Sequence, residues 1–319
     1  MTRSPSRRPA APSRSRSSPS ATDPVPVDQP AADPQPPSGL LDGAPPYRWL
    51  DLPGRGSLVV RDSGPSPDRP DAPVVILLHG WWVDADLNWC RTYAALSDRH
   101  RVVALDHRGH GAHGLRTRRR FRLEDCADDV VAVADALGIG RFTVVGYSMG
   151  GAVAQLVQLR HPGRTAAMLL CATAARFAPA RPLRLLRWAA RPARWLLAPA
   201  WRVVWWVADR RGALGVGDPE VDRWARAAIR QGDLGLLLGA GAALGRFDAR
   251  PEPSSTTPTA AAVVVCTRDR VVPTAGQREL AEGLAAHVEE VDGDHLACVT
   301  AADHFVPALE RALAAVAAS

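Results

Sequence analysis

Short, nearly uninterrupted apolar runs alternate along the chain with longer stretches of helical character. Pro73-Val-Val-Ile-Leu-Leu, Arg101 to Leu105, Arg141 to Gly146, Ala166 to Cys171 and Ala260 to Cys266 lack the polar alternation of a sheet with one wet face. Runs of this kind fit parallel strands covered on both sides. Asn88 to Leu96, Leu123 to Leu137, Met149 to Leu159 and Thr274 to Ala285 read as helices, and His287 to Val291 as a final strand. The helix from Leu123 opens Leu-Glu-Asp-Cys-Ala-Asp-Asp-Val, with acids in the first turn where the helix dipole favours them. Upstream, Tyr47 to Asp51 and Ser57 to Asp62 flank Pro53-Gly54 and predict a hairpin. This order predicts an α/β fold, a doubly wound, mostly parallel sheet with flanking helices. The alternation breaks off over residues 176–258 and resumes afterwards. The chain therefore divides into a tail (1–45), a first core segment (46–175), an insertion (176–258) and a second core segment (259–319).

The tail consists largely of Pro, Ser, Ala and Arg, turning mildly acidic at Asp23, Asp28 and Asp33. It holds too little apolar surface to fold and is expected to be disordered. Its basic start is followed by no apolar stretch and no cleavage site, so a secretory signal is not expected and a cytoplasmic location is the default. The 39 basic residues are all Arg, set against 33 acidic ones for a net charge of +6. Together with abundant Ala, Gly and Pro, this points to GC-rich coding and not to a nucleic-acid partner. Cys90, Cys126, Cys171, Cys266 and Cys298 lie in or beside apolar segments without metal-ligand spacing, and are expected to be reduced, buried thiols. No metal, nucleotide or organic cofactor is implied.

Candidate chemistry centres on Gly146-Tyr147-Ser148-Met149-Gly150. A predicted strand ends there and a helix begins at once, which is the context of a nucleophile elbow. The two glycines let the backbone crowd together while the Ser148 hydroxyl projects outward. The run ending in Leu78 leads into His79-Gly80-Trp81-Trp82, at the carboxyl edge of the sheet where open α/β sheets bind ligands. The Trp81 and Met149 N–H groups are the candidate oxyanion donors. His79, Gly80, Trp82 and Tyr147 are the candidate pocket residues around them.

The next strand ends in Asp106-His-Arg-Gly-His-Gly111, and with the elbow this resembles the α/β-hydrolase superfamily, whose Asp-x-Arg-Gly-x-Gly segment is usually followed one residue on by Ser; His113 stands there instead. The resemblance covers residues 47–175 and 259–318. It implies that the segment 176–258 is a helical cap or lid inserted between core strands. It also implies that Asp269, in Asp-Arg-Val-Val-Pro273, is the acid of a catalytic triad and His295, after the last strand, its general base. The order Ser148, Asp269, His295 is that of this superfamily. Asp294 is expected to face solvent, His304 to be structural, and the basic run Arg116 to Arg120 to be a solvated loop face. The resemblance further implies an acyl-enzyme mechanism, and a serine nucleophile argues against the dehalogenase and epoxide hydrolase branches, which use a carboxylate. Esterases, monoacylglycerol lipases, haloperoxidases, carbon–carbon bond hydrolases and acyltransferases stay open, as does a non-catalytic binding protein of the same fold.

The insertion carries Trp188, Trp195, Trp201, Trp205, Trp206 and Trp224 among arginines, with Pro182, Pro192 and Pro199 dividing it into short helices. Two readings follow. The aromatics line an acyl pocket while the arginines face water, or the helices lie on a lipid surface as a peripheral membrane contact. Both point to a small-molecule apolar ester as substrate.

Overall fold

The computed structural model of the chain describes residues 35–66, 68–117, 119–177, 216–250 and 259–318. Eight strands form one sheet: β1 (Tyr47–Leu52), β2 (Gly56–Asp62), β3 (Val74–Leu78), β4 (Arg101–Leu105), β5 (Phe142–Tyr147), β6 (Thr165–Cys171), β7 (Ala260–Cys266) and β8 (His287–Val291). Their spatial order is β1-β2-β4-β3-β5-β6-β7-β8. The β1–β2 and β2–β4 pairs are antiparallel and every other pair is parallel. β3, β4 and β5, at the centre, are buried almost throughout, whereas β8 at the edge buries only its last residue.

Helices cover both faces, as the apolar runs require. On one side α3 (Leu123–Ala136), α4 (Met149–Arg160) and α7 (Thr274–Gly283) pack on Ile76, Val144, Leu170 and Val263. On the other, α1 (Ala85–Trp89), α2 (Tyr93–Ser97) and α8 (Ala302–Ala317) pack on Val75, Leu77, Val145 and Val264. The single helix expected over Asn88 to Leu96 is instead the pair α1 and α2. Asp84 caps α1 by accepting from the Leu87 N–H, which starts helical structure earlier. Thr92 ends it, its N–H and hydroxyl both turning back onto the Trp89 carbonyl at 2.8 Å.

Residues 35–45, expected to belong to the disordered tail, include an ordered turn in which Leu40 is buried against Leu87, Cys90 and Trp224. Two leucines in a Pro/Gly context suffice to dock this end. Residues 1–34 lie outside the described residues.

Between β6 and β7, α5 (Pro219–Gln231) and α6 (Leu234–Leu244) are helical. Asp218 and Asp233 cap them. Trp188, Trp195, Trp201, Trp205 and Trp206, with Pro182, Pro192 and Pro199, lie outside the described residues. Trp224 on α5 packs into the protein. Arg116 departs from the expected solvated face: it is half-buried, and its guanidinium donates to the carbonyls of Gly111 and Gln231 at 2.6 and 2.8 Å. It thereby ties the end of α5 to the loop after β4, while Arg119 and Arg120 are exposed. Among the described residues no helix is long and apolar enough to cross a membrane.

Candidate active site

β5 ends at the centre of the sheet and α4 leaves it at once, with Ser148 held at φ +53° between them. A non-glycine residue in that region is strained, and the surroundings must hold it there. The Ser148 N–H donates to the Cys171 carbonyl at 2.9 Å, and the Thr173 hydroxyl donates to the Ser148 carbonyl at 2.8 Å. The flanking glycines are required by space as well as by the turn. A Cβ on Gly146 would lie 2.3 Å from the Gly150 carbonyl oxygen, and one on Gly150 would lie 2.1 Å from that of Leu78.

The loops after β7 and β8 meet this serine. Asp269 is buried and accepts from the Val271 and Val272 N–H groups on Oδ1, at 2.8 and 2.9 Å. Its Oδ2 receives His295 Nδ1 at 2.7 Å, and His295 Nε2 stands 3.0 Å from Ser148 Oγ. The contact with a carboxylate fixes the proton on Nδ1, so Nε2 is the acceptor for the serine hydroxyl. Three groups far apart in sequence thus form one relay able to draw a proton from a nucleophilic oxygen. Asp294 stays out of it: it is exposed and accepts from the Leu296 N–H at 2.9 Å.

The loop after β3 closes a further side. The Gly80 N–H donates to Asn88 Oδ1 at 2.8 Å, and a Cβ at Gly80 would stand 3.6 Å from Ser148 Cβ. Trp81 follows, its indole N–H donating to the Leu237 carbonyl of α6 at 2.8 Å. The ring packs so closely on α6 that a Cβ at Gly241 would lie 2.4 Å from it. Met149 is the first residue of α4, and its N–H has no intrahelical acceptor.

Two candidate pocket residues are placed elsewhere. His79 is fully buried, with Nδ1 donating to the Gly80 carbonyl at 2.7 Å and Nε2 accepting from the His107 N–H at 2.8 Å. Both ring nitrogens are spent on backbone, so the ring joins the loops after β3 and β4. Tyr147 is also buried and donates to the His295 carbonyl at 3.0 Å. It too braces the site from behind. Trp82 is half-buried beside Trp81, at φ +75°.

The Asp106 to Gly111 segment is scaffold. The Asp106 carboxylate accepts from the Ala85 and His113 N–H groups, and Arg108 pairs with the buried Asp129 on α3. Gly109 lies against Leu236 of α6. The five cysteines are free and buried, and burial pushes the Cys266 thiol up to about 12. Among the described residues no cluster of three or more His, Cys, Asp or Glu side chains is placed to hold a metal ion.

Sequence reasoning missed Gln277, which is fully buried on α7 and donates to Asp269 Oδ2 at 3.0 Å. Its position carried a signal. Gln277 shares the buried face of its helix with Leu280 and Ala281, at the spacing of a core stripe, and a polar residue in such a stripe needs partners.

A family model described as alpha/beta hydrolase fold matches residues 73–218. The crystal structure of the enol-lactonase from Burkholderia xenovorans LB400 superposes with a TM-score of 0.66 and 26% identity, covering 84% of this chain and 100% of that one. The chain belongs to the α/β-hydrolase superfamily. Within that superfamily, a hydrolase from Pseudomonas aeruginosa PA01 shares the fold with a TM-score of 0.69 at 24% identity, over 84% of this chain and 98% of that one. Among curated relatives, Epoxide hydrolase B of Mycobacterium tuberculosis is 34% identical over 125 residues, 39% of this chain and 34% of that protein. The dihydrolipoyllysine-residue acetyltransferase component of the acetoin cleaving system of Pseudomonas putida is 35% identical over 127 residues, 40% of this chain and 30% of that protein. The chain thus spans about a third of the length of these relatives.

Proposed function

We propose that this protein is a serine hydrolase that cleaves carboxylic esters of apolar acyl or alcohol groups through an acyl-enzyme on Ser148. The observation that carries the reading is the hydrogen-bonded relay from Asp269 Oδ2 through His295 to Ser148 Oγ, at 2.7 and 3.0 Å. In this mechanism Ser148 Oγ attacks the ester carbonyl carbon while His295 Nε2 takes its proton, and Asp269 holds the imidazolium through Nδ1–H. The Trp81 and Met149 N–H groups receive the developing oxyanion, with the amino terminus of α4 adding its dipole. His295 returns the proton to the departing alcohol. Water, deprotonated by the same nitrogen, then releases the acid.

A hydroxyl at the elbow favours acyl transfer over the epoxide chemistry named for the mycobacterial relative, because an acyl-serine is hydrolysed readily and an alkyl ether of serine is not. The lactonase named among the structural neighbours opens a cyclic ester, the same bond type. An apolar substrate is supported by α6, whose sequence Leu-Gly-Leu-Leu-Leu-Gly-Ala-Gly-Ala-Ala-Leu adjoins Trp81.

A panel of p-nitrophenyl esters of increasing chain length tests the proposal. Wild type is expected to turn over medium-chain esters, and Ser148→Ala to lose that turnover. Product analysis with an added alcohol distinguishes hydrolysis from transfer to an acceptor. No turnover by wild type on any ester, or equal turnover by Ser148→Ala, removes the ester-hydrolase reading.

A further inference from the structure

The Asp269 side chain has one more partner than a triad acid needs. Besides two backbone N–H groups and His295, Oδ2 accepts from Gln277 Nε2 at 3.0 Å. Gln277 is fully buried, and its amide is used completely: Nε2 also donates to the Val272 carbonyl at 2.8 Å, and Oε1 accepts from the Cys266 N–H at 3.0 Å. Two acceptors face Nε2 and a donor faces Oε1, which fixes the orientation of the amide. One side chain on α7 therefore joins the end of β7, the following loop and the carboxylate. Leu280 and Ala281, one turn further along, bury the same helix face in the core and hold α7 in place.

We infer that Gln277 is a positioning residue, which fixes the Asp269 carboxylate so that Oδ2 is presented to His295 Nδ1. Without the amide, Oδ1 stays tied to the Val271 and Val272 N–H groups, but the carboxylate can rotate about that anchor and Oδ2 is no longer aimed. Gln277 shares Oδ2 with His295, so it acts on the imidazole through Asp269. It does not touch the Ser148 hydroxyl. The titratable groups around this arrangement are Asp269 itself, His295 hydrogen-bonded to it, and the Cys266 thiol at the end of β7, which feels the charges of Asp269 and Asp294 and a hydrogen bond with Tyr147.

The kinetic arm of the test rests on the serine-hydrolase reading, and a spectroscopic arm does not. Gln277→Leu fills the space without a donor, and Gln277→Glu replaces the amide by an acid. Protonated, the introduced carboxyl still donates to Oδ2 and accepts from the Cys266 N–H; ionised, it places a second carboxylate against Asp269 and donates nothing. With a p-nitrophenyl ester, Gln277→Leu is expected to lower kcat at least tenfold with KM within twofold. The activity of Gln277→Glu relative to wild type at the same pH is expected to be highest at the acidic end of the profile and to fall as pH rises and the introduced carboxyl ionises. Combining Gln277→Leu with Asp269→Asn should add little to Asp269→Asn alone, because both changes act on one unit. By proton NMR, the downfield Nδ1–H resonance of His295 should shift in Gln277→Leu while the thermal transition confirms a folded chain.

An unmoved resonance in folded Gln277→Leu overturns the role, as does full additivity with Asp269→Asn. Should wild type hydrolyse no ester, the serine-hydrolase reading fails, and the NMR comparison still decides the role of Gln277. If Gln277→Leu does not fold, Gln277→Glu decides it through its resonance at acidic and alkaline pH; an unchanged signal at both overturns the role.

Discussion

The Tyr147 hydroxyl donates to the backbone carbonyl of His295 across 3.0 Å, joining residues 148 positions apart in the chain. The residue before the elbow serine thereby holds the loop that carries the histidine. Its ring meets that of His295 at a tilt and those of Phe305 and Trp89 edge-on. Ser148 and His295 are kept at hydrogen-bond distance by this cross-tie as well as by their own contact. Tyr147→Phe keeps the ring and removes the tie. The expected result is a loss of about 1–2 kcal/mol in unfolding free energy, measured by urea titration, and a several-fold fall in kcat at unchanged KM.

Gly150 sits where α4 crosses the end of β3. A methyl group there would stand 2.1 Å from the Leu78 carbonyl oxygen and 2.8 Å from that of His79, both backbone atoms that cannot give way. Gly150→Ala should lower stability by about 3 kcal/mol or more, at or beyond the upper end of ordinary overpacking, and abolish turnover. Gly163→Ala is the control, since nothing lies within 4 Å of a Cβ at that exposed turn. Circular dichroism melts of the two variants should separate clearly.

Trp81 joins the loop after β3 to α6 through its indole, and Gly241 leaves room for the ring. A mid-helix glycine costs about 1 kcal/mol relative to alanine, which the packed indole offsets. Trp81→Phe removes the N–H bond to Leu237 but retains the backbone N–H proposed as an oxyanion donor. Its kcat should fall by well under the ~100-fold that loss of a donor causes. Gly241→Ala should be the more damaging change, because the new methyl meets the indole directly. Steady-state kinetics on one ester compares them.

How much of the fold and site is legible in the sequence depends on whether a residue's role is local. The apolar runs mark the five inner strands β3 to β7, and the pentapeptide around Ser148 marks the elbow, because strand burial and a tight turn leave their imprint on neighbouring positions. Asp269 and His295 are found through a family's order, and their distances lie in the fold. Tyr147 and His79 read as pocket residues because adjacency to the site is all that sequence offers; their side chains turn inward. Gln277 and Arg116 escape a sequence reading for a related reason. A buried polar group is explained by partners distant in sequence, here Asp269 and the Gln231 carbonyl.

Three buried histidines beneath the site give the fold a pH signature. The His79 ring lies 4.5 Å from that of His107 and 5.2 Å from that of His110. Burial lowers all three, His107 to about 3 and His110 to about 4, with His79 well below the ordinary value. Below an unfolded value of about 6.5 the unfolded chain takes up protons that the folded chain refuses, so stability falls as pH drops. Asp106, which burial pushes up to about 6, works in the opposite sense and offsets one proton of that dependence. His110→Leu removes one histidine from the balance. Between pH 6 and 4.5 its stability should depend on pH less steeply than that of wild type by about 1.4 kcal/mol per pH unit. Parallel slopes in chemical denaturation across that range speak against buried neutral histidines.

In the proposed ester-hydrolase reading, turnover proceeds through covalent chemistry at Ser148. Wild type mixed with a p-nitrophenyl ester and quenched in acid within the first turnovers should carry one acyl group per chain, located by peptide mass mapping on Ser148, with a matching burst of p-nitrophenolate. Hydrolysis that leaves no acyl group on Ser148, or an acyl group mapped to another residue, contradicts it.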